Sequence, residues 1–163
     1  MSDEHIATYL NDHVAGSVVA LELLELLEAA HAGTPLERFA AELRADVAAD
    51  RQVLEEFMGQ LNIARSRTRQ ATAWLTEKFT ELKLRVDDPA GGALRLLEAL
   101  EAVAIGIDGK RALWHALVAA SEEAPRLRIV DYGRLIKRAE DQRVRVEEVR
   151  LLAAKAAFRA AQE

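Results

Sequence analysis

An all-α fold of long helices is what this sequence predicts, on three observations. Ala, Leu, Glu and Arg dominate a 163-residue chain with three prolines and eight glycines, a composition that favours helix on intrinsic propensity. Apolar residues recur at helical spacing through every long segment, and no segment alternates apolar and polar residues as a strand does. Two of the prolines directly follow capping residues, in Thr34-Pro35 and Asp88-Pro89, and proline is favoured in the first turn of a helix.

The first helix is expected over residues 3–31, with Gly33 as its stop. Thr34 then serves as an N-cap, and Glu37, at the third helical position, completes a capping box that opens a second helix to about residue 61. Residues 62–69 read as a polar, basic connection. Residues 70–84 read as a shorter amphipathic helix with Ala71, Trp74, Leu75, Phe79 and Leu82 on one face. Asp88-Pro89 starts a helix that extends to about residue 121. Residues 122–130, around Pro125, form a loop, and Asp131 caps a last helix to about residue 161.

The chain is long enough for one domain over 1–163 with a real core. Half of its residues are hydrophobic and 30% are charged, as in ordinary globular proteins. With no cysteine there is no disulfide, thiolate nucleophile or Cys-ligated zinc. Residues 1–11 lack an apolar core of signal-peptide type, and no stretch approaches the roughly 18 apolar residues of a membrane span. A cytoplasmic protein with no membrane partner is the expectation. The net charge of −5 is uneven: residues 1–61 carry twelve acids and three Arg (−9), residues 62–85 six bases and two acids (+4), and the rest thirteen of each. That acidic balance disfavours nucleic acid as a partner. Nothing in the sequence fixes the partner, and a homodimer is left open.

Four helices of roughly 27–33 residues, each about 40–50 Å long at 1.5 Å per residue, should pack as two hairpins. Between the hairpins lie some 27 residues that contain the short helix. They are long enough to return along the bundle, giving the order up, down, long crossover, down, up. This architecture resembles the ferritin-like superfamily over the whole chain. The resemblance implies a four-helix bundle with an extra helix in the crossover. It also implies a di-metal centre with a Glu on each of two helices and a Glu-x-x-His on each of the other two. Those motifs are missing. The one Glu-x-x-His, Glu28 to His31, stands at a helix end and reads as a chance match.

At 100° per residue the inward stripes can be placed. They run through Tyr9, Gly16, Ala20, Leu24 and Leu27; through Leu36, Phe39, Leu43, Val47, Leu54, Phe57 and Leu61; through Leu96, Leu100, Val103, Ile107, Trp114 and Val118; and through Tyr132, Leu135, Ile136, Ala139, Val146 and Ala153. His13 falls inside the first stripe and Asp50 at the centre of the second. Lys110 flanks the third, and Gln142, Arg143 and Arg150 lie on or beside the fourth. His13, Asp50, Lys110 and Arg143 are therefore the candidate buried polar cluster. His13 and Asp50 are level within about one turn, fit either for acid-base chemistry or for fixing helix register. Gly16, Ser17 and Ala20 allow close helix approach or leave a pocket. Gly106 and Gly109 each cost about 1 kcal/mol relative to Ala inside a helix.

Inward cations oppose a bound metal, so the expected function is a non-catalytic binding or structural protein without a working di-metal site or other cofactor. One alternative is a divergent di-iron or di-manganese oxidoreductase with ligands among His13, Asp46, Asp50, Glu101 and Asp108. Another is a helical interaction module that uses the basic 65–69 segment, where Arg65, Arg67 and Arg69 precede Trp74.

Overall fold

A computed structural model describes residues 3–66 and 92–159. Among these residues the fold is all-helical, built from four long helices: α1 (Asp3–Ala30), α2 (Pro35–Gln60), α3 (Gly92–Glu123) and α4 (Tyr132–Arg159). The expected 70–84 helix, the Asp88-Pro89 start, Arg67, Arg69 and Trp74 lie outside the described residues. No described helix is long and apolar enough to cross a membrane.

The helix ends show how local chemistry sets the boundaries. Gly33 takes φ +79, the left-handed turn that ends α1. Thr34 occupies the N-cap position of α2 with extended backbone, but its side chain does not cap. Its hydroxyl donates instead to the His31 carbonyl at 2.7 Å, and Glu37 accepts from the Gly33 N–H at 2.6 Å. The expected capping box is thus displaced by one residue. In so short a link the free carbonyl at the end of α1 lies within reach of the hydroxyl. At its other end α2 closes in a Schellman motif. Asn62 is in the left-handed region (φ 57), its N–H donates to Gly59, and the Ile63 N–H donates to Met58 at 2.9 Å. Helix α3 runs two residues past the expected stop, and Pro125 opens a 3-10 turn, Pro125–Leu127, that buries Leu127. Arg128 donates to the Ser121 and Glu122 carbonyls at the end of α3. Asp131 caps α4 by accepting from the Arg134 N–H at 3.0 Å.

Helix α1 packs on α2, α3 on α4, and α1 on α3. The core has two large apolar layers and a smaller cluster of Leu97, Leu100 and Ala153. One layer joins Leu23, Leu24 and Leu27 to Leu43, Val47, Val103, Ile107, Ala139 and Val146. The other joins Leu10 to Leu54, Phe57, Met58, Leu113, Trp114, Leu117, Tyr132 and Leu135. Truncating a buried Leu in either layer to Ala should cost about 2–5 kcal/mol. The expected stripes shift by one residue in several places, among them Leu117 for Val118. Tyr9 is 37% exposed and its neighbour Leu10 fully buried, and Leu97 rather than Leu96 is the buried member of its pair. One residue is a 100° rotation, and between adjacent apolar residues tertiary packing decides.

Candidate functional site

Between the two apolar layers lies a polar one. Asp50 sits between Val47 and Leu54 on α2, Lys110 between Ile107 and Leu113 on α3, and Gln142 between Ala139 and Val146 on α4. Asp50 and Gln142 are each 3% exposed. A carboxylate at that depth must be paired, because an isolated buried charge is too costly. Here Asp50 Oδ2 accepts from Lys110 Nζ at 2.5 Å and from Gln142 Nε2 at 2.8 Å. Gln142 closes a triangle, since its Oε1 accepts from the same Lys110 ammonium. Arg138 Nη2 stands 3.0 Å from Asp50 Oδ1, an ion pair at an angle outside hydrogen-bond geometry. Burial pushes the Lys110 pKa down, and the Asp50 charge and hydrogen bond push back.

The structure brings two of the four expected cluster members together, Asp50 and Lys110. Arg143 is elsewhere: it bonds Glu147 at 2.8 Å and Asp108 at 3.2 Å on the outer side of the bundle. Its place is taken by Gln142 and Arg138, whose shared stripe continues to Arg145, bonded to Asp46 at 2.8 Å. Positions 138, 142 and 145 follow helical spacing, and this was the legible signal for Arg138. His13 makes no hydrogen bond to Asp50. Its ring rests edge-on against Tyr9 with centroids 4.8 Å apart, and burial lowers its pKa against the opposing pull of Asp12.

The alternative metal ligands do not converge. Asp46, Asp50, Glu101 and Asp108 each face a cation, respectively Arg145, Lys110, Arg150 and Arg143. No group of three or more His, Asp or Glu able to hold a metal occurs among the described residues. Glu28 pairs with Arg44 at 2.9 Å. Arg65 of the basic segment pairs with Glu55.

Beside the polar layer, α1, α2 and α3 enclose an almost wholly apolar cleft of about 520 Å³. Gly16, Gly106 and Gly109 line it, and a Cβ added at any of them would meet no described atom within 4 Å. Close helix approach is therefore not what these glycines serve; they widen the cleft. Trp114 lines it too, 1% exposed, and its Nε1 has no hydrogen-bond partner among the described residues. No family model matches the chain, and no curated protein or solved structure shows a significant likeness to it.

Proposed function

We propose that the protein is a non-catalytic, ferritin-like bundle of up-down-down-up order that works as a binding protein and has no working di-metal centre. The order is supported by the way the helix ends share their layers. The start of α1 lies with the end of α2, the end of α3 and the start of α4, which makes α2 and α3 run the same way. The observation that carries the functional reading is the pairing of Asp50 with two cations. A ferritin-like metal centre needs inward carboxylates free to ligate. The one buried carboxylate among the described residues, Asp50, is held by Lys110, Gln142 and Arg138, and its cations would repel a metal. Cavities of this size lined by apolar side chains with a few polar groups are the usual form of small-molecule sites, and this supports a binding role.

Metal retention tests the reading. Protein loaded with ferrous iron, manganese or zinc and then desalted is expected to keep far less than one ion per chain. Stoichiometric retention that Asp50→Ala abolishes would replace this reading with the oxidoreductase.

A further inference from the structure

The cleft is polarised along its length. Helices α1 and α3 run in opposite directions, since Leu10 shares a layer with Leu113 and Leu117 while Leu24 and Leu27 share one with Val103 and Ile107. One end of the cleft therefore gathers Asp12, His13, Asp50, Arg51, Lys110 and Trp114. The other has Val19, Leu23, Val47, Ala102 and Ile105 and no charged side chain. From residue 12 to residue 23 this span is about 16 Å at 1.5 Å per residue. An apolar trough with polar groups at one end matches an amphiphile, not a compact polar metabolite.

Three side chains at the polar end, Trp114, Lys110 and His13, have capacity to donate; the one buried acceptor there without a hydrogen bond among the described residues, Asp50 Oδ1, faces the Arg138 guanidinium at 3.0 Å. Trp114 Nε1–H is buried with no acceptor among the described residues, an unusual state for an indole in a packed core. The Lys110 ammonium has three N–H groups, and Asp50 and Gln142 take two. The His13 ring nitrogens make no hydrogen bond among the described residues. Asp12 lies exposed at the mouth of this end, while the buried Asp50 faces two cations, Lys110 and Arg138, so the buried trio of Asp50, Lys110 and Arg138 carries one more positive than negative charge. Arg51 is held by Glu55 at 2.9 Å. A ligand that completes this end brings acceptors and negative charge.

We propose that the cleft binds a single-chain fatty acid, with its carboxylate against Trp114 Nε1–H and the Lys110 ammonium and its acyl chain along the apolar end beneath Ile105. This rests on the reading of the protein as a binding protein and names its ligand class.

The probe is dodecanoate below its micellar concentration, with dodecanol as the uncharged control. The reporter is Trp114 fluorescence in a Trp74→Phe background, where it is the one remaining tryptophan. Dodecanoate should shift the emission saturably. Gly106→Leu should weaken binding by at least about tenfold, because its side chain enters the cleft where a Cβ meets no described atom. That replacement also favours helix, so the fold is kept, and circular dichroism checks it. Lys110→Met should weaken dodecanoate by about tenfold while leaving dodecanol nearly unchanged. No saturable shift, or dodecanoate binding indifferent to Gly106→Leu, overturns the proposal. Equal binding of dodecanol and dodecanoate, indifferent to Lys110→Met, overturns the assigned head group and with it the fatty acid. These outcomes are separate from metal retention, which alone decides whether the centre is a metal site.

Discussion

His13 and Asp50 illustrate two ways a bundle interior treats a titratable side chain. Asp50 is paired from two other helices, by hydrogen bonds from Lys110 and Gln142 to Oδ2 and by the Arg138 charge beside Oδ1. His13 is left with a ring contact, and burial disfavours its charged form. A histidine whose folded pKa is lowered binds fewer protons than in the unfolded chain between its folded pKa and about 6.5. Its contribution to stability is then present above that window and lost as pH falls through it. Urea midpoints at pH 8 and pH 5 should differ more in the wild type than in His13→Phe. Part of the slope should persist, because burial lowers the His31 pKa as well. An unchanged slope in His13→Phe would show that the imidazole is solvated. The position of Asp50 was legible because one carboxylate interrupted an otherwise apolar stripe on α2. The choice of Gln142 over its neighbour Arg143 was not. Positions 142 and 143 differ by 100°, and only the rotation of α4 against α2 selects between them.

Helix boundaries were read from residues with strong backbone preferences, and those preferences held better than the side-chain geometry inferred from them. Gly33 and Asp131 stand in the roles their chemistry dictates. Thr34 stands at its cap position with its hydroxyl turned to the preceding carbonyl, because the link is too short to separate the two helix ends. Asn62 was legible only as the start of a polar connection. Its left-handed conformation closes α2 and lets Ile63 pack beside Met58. Asn62→Ala should therefore cost up to about 1 kcal/mol, because Ala keeps the Cβ but loses the short polar side chain that lets Asn adopt the left-handed region. Asn62→Gly should be neutral or mildly stabilising. Denaturant unfolding of the two variants checks this, and an Asn62→Ala protein as stable as the wild type would contradict the motif.

The whole molecule joins two helix hairpins through surfaces of different character. Between α1 and α3 the described contact is apolar and leaves a cleft. Between α2 and α4 a polar stripe runs between apolar contacts such as Phe57 on Tyr132: Asp46 meets Arg145, and Asp50 meets Arg138 and Gln142, along matching helical stripes. The four long helices were legible because length and periodicity are properties of one segment at a time. The cleft was not, since the same small residues serve tight packing or open space depending on the separation of two helices distant in sequence. The polar layer fixes how one hairpin registers on the other, and Asp50 with Lys110 is its centre. The most direct test is a double-mutant cycle with Asp50→Leu and Lys110→Met, read by denaturant unfolding. Asp50→Leu alone should cost on the order of 3–5 kcal/mol, because it strands Lys110 and Arg138. The double variant should be less destabilised than the sum of the singles by on the order of 1–3 kcal/mol. Strict additivity, with Asp50→Leu as stable as the wild type, would mean that Asp50 is solvated and that no ion network holds the centre of the bundle.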